Sequence, residues 1–264
     1  PKNLSAHMQN CFFLFAYLLA LTMSACRPQM RIEDPTLQEA CRELWTDVRK
    51  ADSLYEAIDP LSLSSYEQHR RALLKAHLDL KLRQTIDGST DLKQIASWFA
   101  SHDDDASAAE AFYIAGAYAN WQDDNAEAMR MLKEAENLHP TGIIGGMTYY
   151  KMGRISEAEQ LYEVALEYYD RAVTYIEPTG LPLYLACAWR ELGRTRNDST
   201  SADCFREALR YARLTGDSIL CLDIRYAAAS MIPGNAEAIS LSRYMCDSAG
   251  ISRYAYDLVK HYIR

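Results

Sequence analysis

Histidine and acidic side chains are the first candidates for chemistry, because together they can hold a metal or transfer protons. His102 is followed by three acids at positions 103–105, a pattern that could suggest a metal site. The acids also precede a predicted helix, where exposed amides favour negative charge, and Ser107 and Glu110 have the spacing of a capping box. We therefore predict a solvated helix start at this position.

The other histidines and the glycines match no catalytic motif. His69 and His77 are too far apart in the sequence to share a metal along one helix at about 1.5 Å per residue. No H-E-x-x-H, G-x-S-x-G or phosphate-loop pattern occurs, and the glycine cluster at 142–146 is predicted to be a turn between helices. We expect no catalytic residue, metal or cofactor. An envelope enzyme that uses His77 or the His102 group is the alternative.

The seven cysteines form neither a zinc nor a disulfide framework, because none belongs to a C-x-x-C pair. Cys187, Cys204 and Cys221 are evenly spaced and fall on successive predicted helices. One disulfide bridge among them is conceivable in an oxidising compartment. Buried free thiols that pack as small hydrophobic groups are our main prediction.

Composition predicts a helical chain with a core. The 264 residues are 49% hydrophobic and include only 11 glycines and 8 prolines, a balance that favours an all-α fold. The formal net charge is -8, so the chain has no basic excess to neutralise phosphates. We therefore expect no nucleic-acid partner.

The leading segment, positions 1–26, has the order of a secretory signal. An apolar run at 12–21, too short to span a bilayer comfortably, leads through small residues into Cys26. Residues 23–26 resemble the lipobox of bacterial lipoproteins, which implies a signal peptide over 1–25, lipidation of Cys26 and a tether over 26–35. The implied location is the bacterial cell envelope, facing the periplasm or the cell surface. An ordinary signal peptide or an uncleaved anchor is the alternative.

Residues 109–178 contain two similar units. In each, a glycine is followed by packing residues at the same three distances: Gly116 by Ala128, Leu132 and Ala135, and Gly153 by Ala165, Tyr169 and Ala172. A glycine at a crossing lets two helix backbones approach closely. A third unit begins near Gly193 but departs from the pattern, because Phe205 and Ala208 come about one helical turn early.

This pattern resembles the tetratricopeptide repeat (TPR). The resemblance implies a right-handed α-solenoid of antiparallel helix pairs over 36–264, with the clearest repeats at 109–140, 146–178 and 183–215. Together with the leader, the chain resembles the repeat lipoproteins common in Bacteroidota.

The resemblance also implies a concave groove lined by the first helix of each pair. Carried over to this sequence, the partner-binding positions are Tyr113, Asn120, Tyr150, Arg154, Glu157, Arg190, Arg194 and Asn197. Tyrosine and arginine dominate binding hot spots, and three arginines facing one groove could receive a carboxylate or an acidic segment. Pairing of these arginines with acids of a neighbouring repeat is the alternative.

Outside the repeats, the apolar spacing predicts further helices. We predict one helix from Thr36 to the break at Asp59, a second over 62–86, and a stop and restart over 87–90 with Thr90 as the next cap. Helices are also predicted over 92–99, 217–231, 235–247 and 251–264. The turn at 159–161 in the second repeat has no glycine, so an unbroken helix there is an alternative.

The expected function is therefore that of a membrane-tethered, non-catalytic scaffold that binds a peptide or protein partner in its groove. The extracytoplasmic sensor portion of a longer TPR-containing regulator is the alternative within the binding class.

Overall fold

The computed structural model of the chain describes residues 31–82 and 91–231, with positions 236, 237, 240, 241 and 244 beyond them. These residues form helices and contain no strand, which confirms the all-α prediction for this part of the chain. The α-helices are α1 (Pro35–Glu43), α2 (Val48–Glu56), α3 (Ser65–Lys81), α4 (Leu92–Ser101), α5 (Asp105–Trp121), α6 (Asn125–Asn137), α7 (Gly142–Ala158), α8 (Tyr162–Ile176), α9 (Pro182–Thr195), α10 (Ser201–Thr215) and α11 (Ser218–Ser230). The predictions for 1–30, 87–90 and 251–264, and most of that for 235–247, lie outside the described residues.

The single helix predicted from Thr36 to Asp59 is wrong, because the chain forms α1 and α2 there. Asp47 between them is extended, with φ of -138°. Its carboxylate accepts the backbone N–H groups of Arg49 and Lys50 at 3.1 and 3.0 Å. An aspartate that satisfies the free amides of a helix start favours a new helix over continuation of the old one.

Aspartate also caps the start of α4. The side chain of Asp91 accepts the backbone N–H groups of Lys93 and Gln94, both at 3.0 Å. The N-cap of α4 is therefore Asp91, one position after the predicted cap, and Thr90 itself lies outside the described residues. The helix predicted over 62–86 is confirmed over Ser65–Lys81, and it begins with a capping box formed by Ser64 and Glu67.

One type of turn joins α4 to α5, α5 to α6 and α7 to α8. Each turn has a non-glycine residue in the left-handed region: Asp103 (φ 59°), Asp123 (φ 62°) and Gln160 (φ 62°). The next residue donates its N–H back to the carbonyl of the residue five positions earlier, at 3.0, 3.0 and 2.8 Å, and is also the N-cap of the following helix. This is the Schellman arrangement. The predicted break at 159–161 is confirmed, and the unbroken helix is excluded.

Gly116 and Gly153 lie at the helix contacts that their spacing predicts. A Cβ atom at Gly116 would be 2.7 Å from Cγ of Leu132, and one at Gly153 would be 2.6 Å from Cε1 of Tyr169. Both glycines are therefore required for the close approach of the paired helices.

The turn predicted over 142–146 is wrong, because α7 begins at Gly142 and includes the whole cluster. A side chain at Gly145 would overlap the carbonyl oxygen of Pro140, and one at Gly146 would overlap the side chain of Ile176. Gly145 and Gly146 therefore serve close packing inside a helix, which composition alone does not distinguish from a turn.

Buried side chains form three hydrophobic clusters. The first joins α1 and α2 to one side of α3, the central one extends from α3 to α10, and the third joins α9, α10 and α11. Leu73 and Leu74 are adjacent on α3 but belong to different clusters, so α3 is buried on two sides. Within the part of the chain described here, no helix is both long enough and apolar enough to cross a membrane.

Candidate functional site

Most of the predicted groove residues fall in two neighbouring groups. The first, named here the arginine cluster, consists of Arg154, Arg190, Arg194, Glu157, Glu191 and Asp223. The second, named the aromatic cluster, consists of Trp45, His77, Lys81, Tyr113 and Tyr184. The arginine cluster contains the predicted residues Arg154 and Glu157 of α7 and Arg190 and Arg194 of α9. The aromatic cluster contains one predicted residue, Tyr113 of α5.

Glu191 is the centre of the arginine cluster, and its side chain is only 3% exposed. Its carboxylate accepts Nε of Arg190 at 3.1 Å and Nε of Arg194 at 2.9 Å. Nη1 of Arg154 is 3.9 Å from the same carboxylate. Burial disfavours the charge on Glu191, but the three guanidinium groups outweigh it and hold its pKa below the ordinary value. Glu191 is therefore an ionised buried hub.

The arginine cluster also links helices that are not consecutive in the chain. Arg194 on α9 donates to Oε2 of Glu157 on α7 at 2.6 Å, and the hydroxyl of Tyr169 donates to the same oxygen at 3.0 Å. Arg190 donates to Asp223 on α11. Arg190 and Arg194 therefore pair with acidic residues of other helices, as the alternative prediction expects.

The arginines differ in how much surface they present. The side chains of Arg154 and Arg194 are 49% and 41% exposed, whereas that of Arg190 is 18% exposed. Tyr150, half-buried on the same helix as Arg154, has its pKa raised to about 12 by burial and by the charge of Glu191. Its phenol therefore stays protonated at neutral pH. The cluster thus presents the half-exposed side chains of Arg154 and Arg194 next to the buried carboxylate of Glu191.

Tyr113 is buried beneath α3 in the aromatic cluster and is only 3% exposed. The ring of His77 lies 5.8 Å from that of Tyr113 and 4.8 Å from that of Trp45. Trp45 in turn meets Tyr184 of α9 edge to face at 5.3 Å. Tyr113, predicted to line the groove, is therefore buried against His77 of α3.

Lys81, the last residue of α3, completes this cluster. Its ammonium nitrogen lies 3.9 Å from the ring centroid of Trp45 and donates to the hydroxyl of Tyr184 at 2.7 Å. Burial lowers the pKa of Lys81 to about 8, with a smaller opposing effect from Glu110. This contact joins residues 103 positions apart in the sequence.

Glu110 lies behind the aromatic cluster and does not form the predicted capping box. Its carboxylate accepts Nη1 of Arg70 at 3.0 Å and lies 3.1 Å from Nδ1 of His77. Burial opposes ionisation of Glu110, but Arg70 and His77 outweigh it and lower its pKa to about 2. Asp104 is the N-cap of α5 instead and accepts the N–H of Ser107 at 3.0 Å.

His77, the residue named in the enzyme alternative, is fully buried, and burial lowers its pKa. A neutral ring with its proton on Nδ1 donates to Glu110, and its buried Nε2 has no hydrogen-bond partner among the described residues. His102 stacks on Trp98 with ring centroids 4.0 Å apart. Within the described ranges, no group of three or more histidine, cysteine or acidic side chains is arranged to hold a metal.

Two predicted groove residues lie apart from both clusters. Asn120 bonds to Asn125 at 3.0 Å across the turn between α5 and α6. Helix α9 ends at Thr195, so Asn197 lies in the following connection. There it lines a cavity of about 560 Å³ with Phe205 and Met231. Among the described cysteines, Cys41, Cys187, Cys204 and Cys221 carry free thiols, and Cys204 alone of these is buried.

Sequence reasoning missed Glu191, the residue that holds the arginine cluster together. A signal was available, since Glu191 precedes Arg194 by three positions, a spacing that makes the two side chains neighbours on a helix. Lys81 and Trp45 carried no such signal, because their partner Tyr184 lies far along the chain, on α9.

The described residues thus form an all-α fold with a charged surface cluster next to a buried aromatic one. No family model matches the chain, and neither the curated proteins nor the solved structures that were searched contain a match.

Proposed function

We propose that this chain is a non-catalytic scaffold, tethered to a membrane by lipid at Cys26, that binds a peptide or protein partner through the arginine cluster. In this proposal α5 and α6, α7 and α8, and α9 and α10 are antiparallel pairs of a TPR-like right-handed α-solenoid, and α5, α7 and α9 line its concave face. The repeated turn and the glycine contacts at Gly116 and Gly153 support this arrangement.

The observation that carries the proposal is the support beneath Arg154 and Arg194. A side chain that is already held in place loses little freedom on binding, so preorganisation favours affinity. Both side chains are about half exposed; Arg194 donates to the buried carboxylate of Glu191 at 2.9 Å, and Arg154 lies 3.9 Å from the same carboxylate. Arg154 makes the longest ion contact of the cluster, which leaves its fork of donors best suited to a carboxylate on a partner.

The test is capture of partners from envelope extracts of the source cells, with cross-linking and quantitative mass spectrometry. Arg154→Ala and Arg194→Ala are compared with the wild type and with Arg171→Ala. Arg171 is a matched control, because it is 55% exposed and pairs with Glu136 from a neighbouring helix pair. We expect at least one partner to be retained by the control and to fall about tenfold or more in both cluster variants. Equal capture by all four proteins would contradict the proposal.

The tether has a separate test. Cys26→Ala removes the thiol that the lipobox-like residues 23–26 would acylate. We expect the full chain to move from the membrane fraction to the soluble fraction after cell lysis. Retention in the membrane fraction would count against lipid anchoring, and an intact leader would then indicate an uncleaved anchor.

The sensor alternative shares the same partner surface. It differs only in what the chain is joined to, so the coding sequence downstream of Arg264 separates the two.

A further inference from the structure

Lys151 on α7 is a cation next to the arginine cluster that has no counter-charge. It lies three positions before Arg154, a spacing that makes the two side chains neighbours on a helix. Lys151 is partly buried, and no side chain in the described part of the chain forms an ion pair or hydrogen bond with its ammonium. Burial lowers the pKa of Lys151, and the charge of Arg154 lowers it further. The two cations therefore repel each other on one face of α7.

The arginine cluster is balanced in formal charge without Lys151. Its three arginines are matched by the three acids Glu157, Glu191 and Asp223. Lys151 adds one positive charge on the side of Arg154. Arg154 is also the arginine with the longest ion contact, 3.9 Å to Glu191. The surplus of one positive charge is therefore located at Lys151 and Arg154.

The neighbouring acids on α5 and α7 are already used by other groups. Helix α5 packs on α7 and has no acidic side chain after Glu110. Glu110 accepts from Arg70 and lies 3.1 Å from His77. Glu157 of α7 accepts from Arg194 at 2.6 Å. A partly buried charge without a counter-charge is unfavourable for the folded chain, and ionisable groups perturbed in this way cluster at functional sites.

We propose that Lys151 and Arg154 together bind one carboxylate group of the partner, the ammonium as a point charge and the guanidinium through its fork of donors. The inference rests on the proposed function, since it names the chemical group that the same surface recognises. One negative charge matches the surplus of one positive charge. A carboxylate therefore fits this pair better than a doubly charged phosphate or sulfate group does.

The test measures how fast trace acetic anhydride acetylates each lysine of the full chain, with quantification by peptide mass spectrometry. Only the neutral amine reacts, so a bound carboxylate, which favours the ammonium, slows acetylation of Lys151. Acetate is the probe, acetamide is its neutral match and sulfate is the doubly charged probe, with chloride keeping the ionic strength constant. Lys133 is the control lysine, because it pairs with Glu136 at 2.7 Å. Burial opposes the charge of Lys133, but Glu136 and Tyr168 outweigh it and raise its pKa.

We expect acetate to slow acetylation of Lys151 about threefold or more at about pH 8, with no effect of acetamide and an unchanged rate at Lys133. The slowing should be lost in Arg154→Gln and retained in Arg171→Gln, since Arg171 pairs with Glu136 away from this site. No effect of acetate at Lys151, or an equal effect at Lys133, would overturn the proposal. A stronger effect of sulfate than of acetate would overturn it as well.

A second measurement separates this inference from the proposed function. Lys151→Gln is added to the capture experiment, with Lys133→Gln as its control. A partner that the arginine variants lose should fall about tenfold in Lys151→Gln and be retained by Lys133→Gln. Its retention by Lys151→Gln would overturn this inference and leave the proposed function standing. If no variant loses a partner while acetate still slows acetylation of Lys151, the proposed function fails and the carboxylate site remains.

Discussion

Substitution of Gly153 by alanine tests whether the packing of α7 against α8 depends on the absence of a side chain. The added methyl group would lie 2.6 and 2.8 Å from two carbon atoms of the Tyr169 ring. Tyr169 is fully buried, and its hydroxyl is bonded to Glu157, so the ring cannot move freely. The overlap must therefore be relieved by a shift of α7 against α8.

The expected magnitude follows from two opposing effects. Overpacking of a core costs about 1–3 kcal/mol, and the overlap at Gly153 places this site near the upper end. Alanine is better than glycine inside a helix by about 1 kcal/mol. We therefore expect Gly153→Ala to lower the free energy of unfolding by about 1–2 kcal/mol, measured by urea denaturation followed by circular dichroism.

Gly193 provides the matched control, because it is also buried in a helix. A Cβ atom there would lie 3.1 Å from Cβ of Cys204 and 3.2 Å from a ring atom of Phe205. The smaller overlap and the gain in helix propensity nearly cancel, so Gly193→Ala should be close to neutral. Tyr169→Leu removes the clashing ring, and we expect the cost of Gly153→Ala to be smaller in that background. Equal stability of the two alanine variants would refute the packing argument.

Three further predictions concern charge and capping. Glu191→Gln leaves the largely buried Arg190 beside a neutral amide and should lower the free energy of unfolding by about 3 kcal/mol or more, measured by urea denaturation. Glu167→Gln, at an exposed position, should leave it unchanged. Burial opposes ionisation of Glu110, but Arg70 and its histidine partner outweigh it and lower the pKa from 4.5 to about 2, so the contribution of this carboxylate to stability is complete above about pH 4.5 and is lost as pH falls toward 2. The stability difference between the wild type and Glu110→Gln should therefore shrink over that range, and a constant difference would contradict this assignment. Asp47→Ala removes the cap of α2 and should cost about 1 kcal/mol by thermal or urea unfolding, with no cost if the cap is dispensable.

Periodicity was sufficient to predict the elements whose packing is local in sequence. Gly153 and Tyr169 lie on consecutive helices and meet as their spacing indicates. The break between α7 and α8 was uncertain because the left-handed position, normally glycine, is Gln160. The wrong predictions of an unbroken helix at Asp47 and of a turn at Gly145 have one origin. In a sequence, a capping aspartate is not distinguished from an acid inside a helix, and a packing glycine is not distinguished from a turn residue.

The candidate site was predictable to the extent that it lies on one helix face. Arg190 and Arg194 are one helical turn apart, so their proximity follows from the helix itself. The burial of Tyr113 against α3 was not predictable, because it depends on the path of α3 across two other helices. Contacts such as that of Lys81 with Tyr184 are set by the tertiary arrangement and leave no periodic trace in the chain.

The left-handed residues at the ends of α4, α5 and α7 have a consequence for engineering. A side chain in this conformation is disfavoured by roughly 1 kcal/mol relative to glycine, and Gln160 lacks the short polar side chain that makes Asp103 and Asp123 more tolerant. Natural sequences commonly retain such unoptimised positions, because selection removes only variants that fall below a threshold. The inter-helix corners of this protein are thus places where a thermostable variant can be built without altering either surface cluster, with Gln160→Gly as the first choice.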